Sequence, residues 1–274
     1  MQNTSAIGVF DSGYGGLTIL EAFRRRLPQY DYIYLGDNAR TPYGARSSEV
    51  VYEYTLQAVK KLFSMGCPLV ILACNTSSAE ALRSIQQKDL PALAPDNRVL
   101  GVIHPTVEVL GDTTKTRHIG IFGTAGTVRS GSYPIEIKKL FPGFTVQLEA
   151  CPLWVPLVEN GETESEGADY FVKKNVQNLM QKDAEIDTLV LACTHYPLLI
   201  NAIRKFVPEA VNIVSQGSIV AESLKNYLAR HPEMNERCSK NGSCEFYTTE
   251  SEEKFKNSAR LFLKQEVEVK RITL

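Results

Sequence analysis

Short runs that are apolar at nearly every position alternate along this chain with longer stretches whose apolar residues recur every three or four positions. IGVF (7–10), YIYL (32–35), LVILA (69–73), VLGVI (99–103), HIGIF (118–122), TVQLEA (145–150), TLVLA (188–192) and VNIV (211–214) have strand length and are rich in Val, Ile and Leu. Between most of them lie segments of helical period. Over 47–65, Val51, Tyr54, Ala58 and Leu62 share one face, Ser47 stands where an N-cap belongs, and Gly66 where the helix must stop. The stretches 17–26, 76–87, 196–207 and 217–230 read the same way. Strands apolar on both faces need cover on both sides, and intervening helices supply the crossovers, so the pattern predicts α/β architecture with parallel sheets.

The pattern also repeats coarsely. FDSGYGG (10–16) opens the turn after the first strand and FGTAGT (122–127) does the same in the second half. LVILACNTSS (69–78) and LVLACTHYPLL (189–199) both end an apolar run on Ala-Cys. Turns between strand and helix favour Gly, Ser and Thr in any doubly wound fold, so the paired Ala-Cys runs weigh more than the glycines. Two similar α/β domains are expected.

Composition narrows the partners. The 274 residues leave room for about two domains, and 30 basic against 31 acidic residues give a net charge of -1. That balance carries no footprint for nucleic acid or an anionic membrane, so a small molecule is the expected partner. The opening MQNTSAIGVFDSG lacks a basic segment followed by a long apolar core, and no membrane-length apolar run occurs, so a cytoplasmic location is expected. The cysteines at 67, 74, 151, 193, 238 and 244 form no CxxC pair, which argues for thiols rather than a disulfide framework or a zinc ribbon.

In open parallel sheets, ligands bind beyond the carboxyl ends of the strands, where Asp11, Ser12, Asp37, Cys74, Asn75, Thr76, Thr124, Cys193, Thr194 and His195 would gather. A lone cysteine at a strand end is usually a small hydrophobe. Two in matching positions of facing domains would flank a cleft, and helices starting directly behind them would favour the thiolate. A base on one face of a carbon and an acid on the other can invert a stereocentre, so the pair suits a two-base racemase. His195 lies close to Cys193, yet no neighbouring Cys, Asp or His completes a metal set. DSGYGG lacks the lysine of a phosphate loop. Cys67 and Cys151 each precede a proline and read as structural. Neither a metal nor an organic cofactor is expected.

DSGYGG, GDNARTPYG (36–44), LVILACNTSS, FGTAGT, PLVENG (156–161) and LVLACTHYPLL, taken in order, closely resemble the glutamate racemase family along essentially the whole chain. The resemblance implies a cofactor-independent enzyme that interconverts L- and D-glutamate, supplies D-glutamate for peptidoglycan, and commonly forms homodimers. It implies two parallel-sheet α/β domains with the active site in the cleft between them: 1–98 with 214–274 as the first, 99–213 as the second. Carried over by motif, Cys74 and Cys193 are the acid/base pair, and Asp11 with Ser12, Tyr43 with Gly44, Asn75 with Thr76 and Thr194 with His195 are substrate-binding pairs. Asp11 would assist at Cys74 or accept from the ammonium, and His195 would assist at Cys193. Thr124 and Thr127 resemble further substrate contacts, and Glu159 and Asp37 acidic residues near the site.

The tail segment CEFYTTE is expected either as an edge strand of the first domain or as part of a small appendage. The short leader before IGVF leaves little room for the extension that accompanies precursor activation in some members, so that control is not expected. Three other readings compete: a two-cysteine relative acting on aspartate, hydantoins or maleate; a nucleotide- or phosphate-binding α/β protein; and a hydrolase with Cys193 as nucleophile, for which no base is clearly placed.

Overall fold

The structure, a computed structural model, describes residues 5–274; residues 1–4, the start of the expected first domain and of the opening MQNTSAIGVFDSG stretch, lie outside the described residues. The strands are β1 Ile7–Asp11, β2 Tyr32–Gly36, β3 Leu69–Leu72, β4 Arg98–Gly101, β5 His118–Gly123, β6 Thr145–Ala150, β7 Thr188–Ala192, β8 Asn212–Val214, β9 Cys244–Thr248 and β10 Val269–Arg271. They form two sheets of order β10-β9-β2-β1-β3-β4 and β6-β5-β7-β8, with every pairing parallel. β1, β2, β3 and β7 are buried at every residue, as two-sided cover by helices requires.

The coarse repeat is a repeat of winding. β2-β1-β3-β4 in the first sheet corresponds strand for strand to β6-β5-β7-β8 in the second. In each, the chain leaves the first strand of the unit to one side and returns on the other, so the crevice for a ligand opens beside that strand. Cys74 follows β3 and Cys193 follows β7, so the two thiols occupy equivalent places.

The boundary of the second unit differs from the one read off the sequence. β4 pairs with β3 from Leu69↔Arg98 to Leu72↔Gly101, so residues 99–101 continue the first sheet. An apolar run fixes strand character but not which sheet accepts the strand. The tail segment also differs: β9 pairs with β2 and is covered by β10, so CEFYT is an inner strand and the edge falls to Val269–Arg271. The helix Glu252–Leu263 between them buries Phe255 against Tyr14, Tyr34 and Phe246 in the first core.

Helix ends follow local chemistry. Ser47 Oγ accepts from Val50 N at 3.5 Å, and Gly66 turns the chain at φ +92 after the helix Ser48–Ser64. The expected helix over 76–87 is instead Asn75–Glu80 and Leu82–Ser84, followed by a π turn at Ile85–Asp89 and a last turn at Leu90–Leu93. Pro91 brings no N–H to the Gln87 carbonyl, and the wider turn stands just before it. The expected helix over 196–207 begins as the 3-10 turn Tyr196–Leu199, containing Pro197, and becomes α-helical at Ile200–Phe206. No helix among the described residues is long and apolar enough to cross a membrane.

Asp31, just before β2, ties the tail to the first sheet. Its carboxylate accepts from Asn241 N at 3.1 Å, Asn241 Nδ2 at 2.7 Å, Ser243 N at 2.8 Å and Ser243 Oγ at 2.7 Å. Burial alone would raise its pKa, but hydrogen bonds from Ser239, Ser243 and Asn241 prevail and hold it down to about 2 against an ordinary 3.8. A carboxyl depressed by folding stabilises the native state above its unfolded pKa, and that contribution disappears as pH falls through the folded value. Asp31→Asn is therefore expected to lose about 2 kcal/mol at pH 7, with the deficit narrowing from pH 4 downward, as read from urea midpoints across pH 7 to 3.

Candidate active site

The carboxyl ends of the two sheets meet at a cavity of ≈ 90 Å³, roughly the liquid volume of three waters. Of the residues expected at the site, Ser12, Tyr43, Gly44, Cys74, Asn75, Thr76, Thr124, Cys193, Thr194 and His195 line it. Asp11, Asp37, Thr127 and Glu159 stand outside its lining. Thr41, Pro42, Ala45, Ala125, Cys151, Pro152, Val155 and Pro156 complete the wall without having been singled out as site residues. Neither Arg nor Lys is in the lining, so an anionic ligand would meet neutral N–H and O–H donors.

Cys74 is the N-cap of the helix Asn75–Glu80. Its Sγ accepts from Ser77 N at 3.4 Å and lies 3.3 Å from Ser12 Oγ. Burial, with Asp11 adding to it, pushes the thiol up to about 11 despite those bonds. Asp11 is itself raised above the ordinary carboxylate range by burial; its Oδ2 accepts from Gly13 N at 2.9 Å, while Oδ1 is buried with no partner. The Cys74 thiol therefore keeps its proton.

The other half differs. Cys193 Sγ lies 3.8 Å from His195 Nδ1, and His195 Nε2 lies 3.0 Å from Glu159 Oε1. Burial alone would lower the imidazole pKa, but the bonds to Cys193 and Glu159 prevail and push it up to about 10. No helix starts directly behind Cys193, contrary to the sequence reading, because the chain makes a turn closed by Tyr196 N to Cys193 O at 3.2 Å before the 3-10 segment begins. The cationic histidine takes the place of a helix terminus. The sequence reading put His195 beside Cys193 and Glu159 near the site; the fold brings Glu159 to His195 from the end of the helix Trp154–Glu159. Phe262, from the carboxyl-terminal helix, meets the His195 ring edge to face at 5.6 Å and 89°.

The two halves touch directly. Thr76 Oγ1 lies 2.9 Å from Thr124 Oγ1 and 3.4 Å from Thr127 Oγ1. Thr124 also caps its own helix, accepting from Thr127 N at 3.2 Å. A Cβ on Gly15 would stand 2.2 Å from Thr194 Oγ1, and one on Gly44 would stand 2.6 Å from Thr124 Cβ, so only glycine permits these approaches. Asp37 holds a wall in place: it accepts from the Tyr43 hydroxyl, from Arg40 Nε at 2.7 Å and from Thr249 Oγ1 at 2.8 Å.

Asn75 has four hydrogen-bonding positions, of which Gln216 and Tyr133 occupy three. Neither partner was singled out from the sequence, since a lone Gln after an apolar run and a Tyr in a helix carry no local signal. Cys151, expected to be structural, reaches the cavity wall; its thiol is turned toward the Glu149 carbonyl at 3.7 Å and burial raises it well above the ordinary range. Among the described residues no cluster of three or more His, Cys, Asp or Glu side chains is arranged to hold a metal ion.

Comparison with known proteins shows which family the chain falls in. The glutamate racemase of Dinoroseobacter shibae is 39% identical over 277 residues, spanning 97% of this chain and 98% of its own. The crystal structure of glutamate racemase isoform RacE1 from Bacillus anthracis superposes with a TM-score of 0.89 at 35% identity, covering 100% of this chain and 99% of that one. That of Francisella tularensis glutamate racemase in complex with D-glutamate gives 0.87 at 30% identity, covering 99% and 98%. The profile of the Asp/Glu/Hydantoin racemase family matches residues 17–224. With that profile matched over most of its length and relatives aligned end to end, the chain belongs to the Asp/Glu/hydantoin racemase family, among its glutamate racemases.

Proposed function

We propose that this protein interconverts L- and D-glutamate by moving protons between the substrate α-carbon and two cysteines, Cys74 and Cys193, one on each face. The observation that carries the reading is the placing of two thiols on equivalent turns of two sheets, both in the lining of one small cavity. Their surroundings differ in the way the reaction needs. Cys74 sits where burial favours the neutral thiol, an acid, and Cys193 has the His195–Glu159 pair beside its sulfur to take up or return a proton. Once a proton has crossed, the roles exchange, and turnover can run in the other direction.

Substrate recognition follows from the lining. Ser12, Thr76, Thr124 and Thr194 hydroxyls and the remaining Asn75 N–H would receive the two carboxylates. Asp11, whose charge raises the Cys74 thiol, would help hold a proton there, as His195 with Glu159 would at Cys193. The α-carbon is a very weak acid, so fixed donors around the developing negative charge and a thiolate held against the α-hydrogen must supply most of the barrier lowering. The D-glutamate formed would serve peptidoglycan synthesis. Cys193 with His195 and Glu159 could also activate a nucleophile, but that reading leaves the facing thiol of Cys74 without a task.

Polarimetry of L-glutamate with the purified protein and no added cofactor should show loss of rotation toward the racemic value; unchanged rotation would refute the assignment. Cys74→Ser and Cys193→Ser should each lower turnover by several orders of magnitude, because a hydroxyl ionises far less readily than a thiol. Cys67→Ser, buried away from the cavity, should keep near-normal turnover with a packing cost of about 1 kcal/mol.

In deuterated water, product sampled at a few per cent conversion should carry α-deuterium while remaining substrate stays nearly unlabelled, starting from either enantiomer. The abstracting thiol returns protium before it exchanges, whereas the facing thiol delivers deuterium from solvent. Chiral separation with mass spectrometry reads both pools. Equal labelling of substrate and product would mean a single shared base.

A further inference from the structure

We infer that Gln216 is a positioning residue for the Cys74 half of the site, an inference that rests on the racemase reading above. Gln216 opens the helix Gln216–Arg230 where the chain leaves β8 and returns to the first sheet. It is 2% exposed and does not line the cavity. Its carboxamide pairs reciprocally with that of Asn75: Asn75 Nδ2 donates to Gln216 Oε1 at 2.6 Å, and Gln216 Nε2 donates to Asn75 Oδ1 at 3.2 Å. The same Nε2 lies 2.8 Å from Thr106 Oγ1 and 2.9 Å from the Tyr133 hydroxyl oxygen. That hydroxyl in turn donates to Asn75 Oδ1 at 2.8 Å.

Asn75 directly follows Cys74 and is the first residue of the helix that Cys74 caps. Tyr133 packs in the core of the second sheet with Ile119, Ile121 and Val190. The network therefore ties the turn bearing one thiol to the unit bearing the other. All its members are buried, so losing one leaves the others unpaired where water cannot replace it, and the Asn75 turn shifts to recover its bonds. Proton transfer at both faces of one carbon tolerates little displacement of either sulfur, whereas carboxylate binding by several hydroxyls tolerates more. Gln216 thus governs the chemical step through Asn75 and has little effect on substrate affinity.

The test compares wild type, Gln216→Leu, Tyr133→Phe and the double variant, each with α-protio and α-deuterio glutamate. Gln216→Leu should lower kcat roughly 10- to 100-fold with KM within about threefold, and should move the primary isotope effect on kcat away from the wild-type value. Tyr133→Phe should shift both readouts in the same sense by less. The double variant should lose no more than about twice what Gln216→Leu loses alone, since both act through one residue. A merely structural defect would lower kcat with the folded fraction and leave the isotope effect and KM at wild-type values. That outcome, or full turnover in a folded Gln216→Leu protein, overturns the inference. If Gln216→Leu fails to fold, Tyr133→Phe decides, and a wild-type kcat and isotope effect there overturn it. Failure of the wild type to racemise glutamate overturns the underlying reading itself, and this inference with it.

Discussion

Cys74 and Cys193, carried on separate sheets, line one cavity because the two units pack closely there, glycine backbone of one against side chains of the other. Gly15 lies against Thr194 and His195, and Gly44 lies against Thr124, at distances that leave no room for a Cβ. An added Cβ at either glycine would have to push the facing side chain back. Thr76 and Thr124 join hydroxyls at 2.9 Å across the same gap. The small volume of the cavity is the direct result.

That closeness decides the electrostatics. With few waters and no Arg or Lys in the lining, every charge near the cavity must be met by a particular neighbour. At Cys193 the neighbour is His195, itself held by Glu159. At Cys74 the neighbours are neutral donors and a carboxyl raised by burial, so the thiol keeps its proton. One winding, used twice, therefore gives two half-sites of different make-up because the residues beside the cysteines differ: Asp11 and Ser12 in one, His195 and Glu159 in the other.

The carboxyl-terminal segment completes both halves. Its strands widen the first sheet, Asp31 and the 241–243 turn fasten it, and Phe262 reaches the His195 ring. An element far along the chain from β1 thereby packs against a cavity-lining residue that follows β7.

The sequence by itself determined the α/β class, the parallel sheets and the doubling of the unit, because strand burial and helical period are local properties that survive in a string of residues. It also determined which side chains gather at the strand ends, since in a doubly wound sheet those positions follow from the turn after each strand; Ser12, Cys74, Thr124 and Cys193 were legible for that reason. It left open which sheet takes 99–101 and whether CEFYT is inner or edge, because an apolar strand pairs equally well in several registers of the whole. Only tertiary structure decided the residues that act from behind the lining. Asp37 holds Tyr43, Glu159 reaches His195, and Gln216 pairs with Asn75 across 141 positions of chain. The last two rest on hydrogen bonds between segments 36 and 141 positions apart, and a bond of that kind has no periodicity, spacing or composition by which a one-dimensional reading could find it.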